Sequence, residues 1–199
     1  MKPPLALGFT LIELLVTIAM IAIVTAIGVP AFKDTIRNNV LTAGMNDFIA
    51  TLNFARSEAV KRGVTVTARK TSTSTPDEWG SGWESGWEVF TDSPNDQNKY
   101  GTKEGTDQTL RVHEPLKNNY TLRGNNNFIN YISYKPSGES NNLGSFALCD
   151  TSVSGNPTKR TARLIAVSIL GRISLTADSD NDGILKKNDG TDFTSCTNP

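Results

Sequence analysis

The chain has 199 residues, with 20 Lys+Arg balancing 20 Asp+Glu at a net charge of zero. That balance excludes a globally basic nucleic-acid binder. One histidine and two cysteines leave too few ligands for a zinc centre and a single candidate for histidine-based catalysis.

The first 32 residues are the most informative. The run at 8–16 reads Gly-Phe-Thr-Leu-Ile-Glu-Leu-Leu-Val, and from Phe9 to Phe32 the only charge is Glu13. Those 24 residues suffice to span a hydrocarbon core of roughly 30 Å as a helix. A carboxylate within such a span costs roughly 2.5–3.5 kcal/mol on insertion scales, so it needs a partner. Lys2 lies on one side and Lys33, Asp34 and Arg37 on the other, giving weak guidance on orientation.

This arrangement resembles the class III signal of type IV pilins and pseudopilins. The resemblance implies that a prepilin peptidase cuts between Gly8 and Phe9 and that the new N-terminal Phe9 is methylated. It also implies that Glu13 pairs with the amino terminus of a neighbouring subunit during filament assembly. Removing residues 1–8 takes Lys2 and leaves a side-chain charge of −1. Two other readings compete: a secretory signal peptide, with Val24-Thr25-Ala26 as its cleavage triplet, and a plain membrane anchor. The acid near the start of the apolar run counts against the former. Gly28 and Pro30 sit where pilins carry helix-loosening residues, and proline removes an intrahelical hydrogen bond.

Beyond Pro30 the helical period continues. Phe32, Ile36, Val40, Phe48, Leu52, Ala55 and Ala59 form one apolar stripe, with Arg37, Asp47, Asn53, Arg56 and Lys61 mostly off it. Gly63 follows Lys61-Arg62 as a stop. One helix, bent near Pro30, is therefore predicted from about Phe9 to about Arg62. Strands are predicted at 64–69, 87–91, 109–113, 119–123, 128–134, 144–149, 162–168 and 172–176, separated by turn residues. Seven or eight short strands suggest a sandwich or a curled sheet.

The expected fold class is α+β, and the resemblance to pilins implies a long N-terminal transmembrane helix packed on an antiparallel two-sheet β domain. The expected organisation is a leader at 1–8, a membrane and filament-core helix at 9–32, an amphipathic helix at 33–62 and a β domain at 63–199. With the domain on the oxidising side of a membrane, Cys149 and Cys196 favour a disulfide; the alternative is two buried free thiols.

Four runs resemble the GspH/FimT domain of minor pilins and pseudopilins. They are Leu-Asn-Phe-Ala-Arg-Ser-Glu-Ala-Val-Lys-Arg-Gly at 52–63, the tryptophan-glycine run at 79–92 with Gly-Trp-Glu-Val-Phe-Thr-Asp, Phe-Ala-Leu-Cys-Asp at 146–150, and 162–172 ending in Gly-Arg. The resemblance implies a structural subunit without enzymatic activity. Its partners would be other minor pilins, the major pilin, an inner-membrane assembly platform and the prepilin peptidase. It would prime pilus assembly at or near the tip; a type II secretion pseudopilus is the alternative. The chain would sit in the inner membrane with its domain in the periplasm, and then in an extracellular filament.

DNA-binding members of the family carry Gly-Arg-x-Arg. Here the run is Gly171-Arg172-Ile173-Ser174, so the second arginine is absent. Lys159, Arg160, Arg163 and Arg172 are the cations that could build a DNA-binding patch, against the alternative of ordinary solvated arginines. The run at 178–189 reads Asp-Ser-Asp-Asn-Asp-Gly-Ile-Leu-Lys-Lys-Asn-Asp. Asp178, Asp180 and Asp182 fall at positions one, three and five of a calcium loop, before the expected glycine. Ile184 would offer its carbonyl, and Asp189 stands where a longer Glu is usual. The alternative is an acidic turn. Asp92, Asn95 and Asp96 are a weaker second set. His113 reads as a strand-edge surface residue, and Trp79, Trp83 and Trp87 as core or loop cover rather than ligand sites.

Overall fold

The computed structural model describes residues 9–71, 82–93, 100–153, 155, 157–187, 190–197 and 199. Gly8, Trp79, Asn95, Asp96 and Asp189 lie outside them. The chain forms two compact units, Met1–Arg37 and Asn38–Pro199. One helix, α1 (Leu11–Arg62), contributes to both and continues through Pro30.

In the first unit the apolar side chains are exposed all round, among them Leu11, Leu14, Ile18, Ile21 and Phe32. This stretch is long and apolar enough to cross a membrane. Its hydroxyls do not oppose that. Thr17 Oγ1 donates to the Leu14 carbonyl at 2.8 Å and Thr25 Oγ1 to Ile21 at 2.8 Å, so both bond within their own helix.

The second unit is built on the rest of α1. Leu41, Met45, Phe48, Leu52, Ala55 and Ala59 are buried at alternating four- and three-residue spacing. The predicted stripe agrees from Phe48 onward but is misplaced upstream, where Val40 is only half buried and Leu41 and Met45 carry the contact. Steps of four through 32, 36 and 40 drift round a helix with 3.6 residues per turn, whereas the alternating spacing stays on one face.

Among the described residues eight strands follow, one for each predicted segment: β1 (Val66–Lys70), β2 (Trp87–Thr91), β3 (Thr109–His113), β4 (Tyr120–Gly124), β5 (Tyr131–Tyr134), β6 (Gly144–Asp150), β7 (Ala162–Val167) and β8 (Ile173–Leu175). They form two antiparallel four-stranded sheets, ordered β3-β2-β1-β5 and β4-β6-β7-β8. The segment expected at 128–134 is shortened at its start. Phe128 sits in a turn in which its N–H donates to Asn125 O at 2.8 Å and its carbonyl accepts Trp83 Nε1 at 3.0 Å.

Both sheets meet α1 in one core. Phe48 packs edge-on against Trp83, Trp87 and Phe146, with ring centroids 4.8–5.4 Å apart. Trp83 and Trp87 are fully buried, as core readings require, and Trp87 Nε1 donates to Thr51 Oγ1 on α1. The helix lies so close to β6 that a Cβ at Gly44 would come 3.1 Å from Leu148 Cδ2.

The second sheet is buried on its other face as well. Ala147, Cys149, Ala162 and Leu164 point away from α1 and pack with Leu185 and Phe193 of the C-terminal tail. Cys149 and Cys196 form a disulfide across 47 residues of sequence, and Ser145 Oγ donates to the Pro199 carbonyl. Such a bridge stabilises by about 2–4 kcal/mol, mainly by restricting the unfolded chain.

Candidate functional site

At the start of α1, Thr10 Oγ1 accepts the backbone N–H of Glu13 at 3.3 Å, and Thr10 O accepts that of Leu14. Thr10 is thus the N-cap and Glu13 the third helical residue, the spacing of a capping box. An acid here complements the positive end of the helix dipole. Glu13 is exposed, as are its apolar neighbours Ile12, Leu14 and Leu15. Among the described residues no cation pairs with it. Phe9, the residue before the cap, is also exposed.

The four cations proposed for DNA do not form one patch. Lys159 Nζ lies 3.0 Å from Asp178 Oδ2. Arg163 donates to Asn38 Oδ1 at 2.9 Å, Thr42 Oγ1 at 3.2 Å and the carbonyls of Lys159 and Ala162. Burial pushes its guanidinium pKa down. Arg160 is exposed beside them. Arg172 is exposed too, but its carbonyl pairs with Ser168 N beyond the far end of β7. Ser168 lies five residue rises from Arg163, about 17 Å along an extended chain.

The Gly171-Arg172 turn has a structural role. Gly171 holds φ at +73°, and a Cβ there would meet the Gly138 carbonyl at 2.2 Å. Arg56 on α1 fills the same corner. Its Nε donates to Gly138 O at 2.9 Å and its Nη2 to Leu170 O at 3.0 Å. One side chain thereby ties the turn after β5, in the first sheet, to the β7–β8 turn in the second. Arg56 was expected off the packing stripe, and it is off the apolar one; its role shows only once partners 82 and 114 residues away are brought to it.

The described part of the acidic run, 178–187, forms a loop that gathers its carboxylates. Asp178, Asp180 and Asp182 each place a carboxylate oxygen within 4.8 Å of the others. Lys186 Nζ lies 2.7 Å from Asp180 and 3.2 Å from Asp182, and also contacts Asp192. Asp180 first, then Asp192, pushes the Lys186 ammonium pKa up. The bond from Lys159 holds the Asp178 carboxyl below the usual carboxylate range. Asp92, of the weaker set, is spent differently. It accepts Thr67 Oγ1 at 2.6 Å and Gly101 N at 2.7 Å, and burial pushes its pKa up. His113 is on the edge strand β3 and stacks on Trp87, ring centroids 3.9 Å apart.

This architecture has known counterparts. The chain is similar in fold to the type IV minor pilin FimU of Pseudomonas aeruginosa. Two crystal forms give TM-scores of 0.53 and 0.51 at 18% identity, covering 79% and 78% of this chain and 96% and 99% of the crystallised FimU chains. The minor pseudopilin EpsH of the Vibrio cholerae type 2 secretion system aligns with a TM-score of 0.43 at 14% identity, over 70% of this chain and 98% of EpsH. In sequence, prepilin peptidase-dependent protein D of Escherichia coli is 50% identical over 42 residues, 21% of this chain. The match spans 29% of that relative's length. The family model described as "Type II transport protein GspH" matches residues 44–171, well over half of the chain. The chain belongs to the GspH family of minor pilins and pseudopilins.

Proposed function

We propose that this chain is a minor type IV pilin, a structural subunit without enzymatic activity that primes pilus assembly at or near the tip. The observation that carries the reading is Glu13, a lone exposed acid in the first turn of an exposed apolar helix. Cleavage between Gly8 and Phe9 by a prepilin peptidase leaves Phe9 as a methylated N-terminus. The helix holds the subunit in the inner membrane with its domain in the periplasm until the assembly platform extracts it. It then packs among other minor pilins and the major pilin, with Glu13 neutralising a neighbour's amino terminus.

Two physical arguments support this. A helix that is apolar all round needs lipid or other helices around it. A carboxylate in such surroundings is tolerated when an opposite charge meets it. DNA is not part of this reading, because Lys159 and Arg163 are committed to internal partners and Arg172 lies a strand's length away.

The description of the matching family favours a second reading, a pseudopilin of type II secretion. One experiment separates the two: surface pilus yield in a strain lacking the chain, with exoprotein secretion scored in parallel. Loss of pili with intact secretion is expected. Intact pili with lost secretion would replace the first reading by the second.

A further inference from the structure

The assembly role proposed for α1 leaves the loop that begins at Asp178 without a function. Three like charges within 4.8 Å need positive charge among them, and Lys159 and Lys186 supply part of it. One acceptor is left over. The Asp178 side chain is only 4% exposed, and its Oδ1 is buried with no hydrogen-bond partner. The nearby carboxyl of Asp180 is another acceptor and cannot satisfy it. A buried carboxylate oxygen without a donor is costly, and a cation is the group that relieves it.

The backbone matches that need. Gly183 stands at the sixth position with φ at +91°, and its N–H donates to Asp178 Oδ2 at 3.0 Å. Ile184 follows at the seventh, where a calcium loop uses a carbonyl. Lys186 stands at the ninth, the position whose ligand is often water and therefore points inward.

We propose that Asp178, Asp180 and Asp182, with the Ile184 carbonyl and water, bind one calcium ion, and that the Lys186 ammonium takes its place when calcium is absent. Oxygen-only ligands on an irregular loop suit calcium better than magnesium, which demands a near-ideal octahedron. Leu185, at the eighth position, packs with Phe193 beside the Cys149–Cys196 bridge. Bound calcium therefore fixes the tail that covers the outer face of the second sheet.

The test uses the full chain in detergent, stripped with chelator and titrated with calcium alone by calorimetry and thermal unfolding. One ion per chain is expected, with Kd on the order of 10⁻⁴–10⁻³ M, as in extracellular modules. At about ten times Kd the melting temperature rises by about 3–5 °C. Asp180→Asn and Asp182→Asn each weaken binding at least about tenfold, since each removes a charged ligand. Lys186→Gln tightens it. Absence of heat and of any melting shift at about 10 mM calcium, far above that range, would overturn the proposal. So would binding unchanged in both Asp variants, an equal response to magnesium, or a Lys186→Gln protein whose lost stability calcium does not restore.

Discussion

The two parts of α1 obey opposite rules. Up to Arg37 its apolar side chains are exposed on every side; from Asn38 onward the buried ones keep to a single face at four- and three-residue steps. The second pattern is satisfied within the domain, where Phe48 touches rings from both sheets. The first leaves its apolar surface to be covered by something other than this domain. One helix thus serves two environments, and apolar residues both thin out and gather on one face where it enters the domain.

That contrast can be broken at either end. Phe48→Ala removes the ring shared by both sheets and should cost the domain about 3–5 kcal/mol, read as a lower denaturant midpoint. Leu14→Ala, in the first unit, should leave that midpoint unchanged; an equal loss would show that the domain depends on the exposed stretch. Replacing Cys149 by Ser together with Cys196 by Ser should cost about 2–4 kcal/mol and expose the tail to protease before the core unfolds. Simultaneous loss of both would mean that the tail is part of the core's cooperative unit. Arg56→Ala should cost about 1–3 kcal/mol by leaving the Gly138 and Leu170 carbonyls without their donor. Arg56→Lys should not restore it, because one ammonium lacks the fork that spans both.

Much of this was readable from residue order. The segments predicted at 87–91 and 109–113 match β2 and β3 to the residue, because each is bounded by turn-forming sequence. Alternation failed at Phe128, which is buried from a turn and imitates a strand residue. The helix stripe failed upstream of Phe48 because a period of four is close to 3.6 over one turn but not over three. Leu185 and Phe193 carry no periodic signal; they are sparse apolar residues in a polar tail, and their role appears only against the outer face of β6 and β7. The acidic loop was legible as a spacing, but the buried Asp178 oxygen and the reach of Lys186 into the cluster were not, since both depend on the fold.

The most direct measurement is the incorporation of a Glu13→Val subunit into filaments in a strain lacking the wild-type chain. The account predicts a protein that is inserted and processed at Gly8–Phe9 yet absent from sheared filaments. Normal incorporation would contradict the assembly role assigned to Glu13.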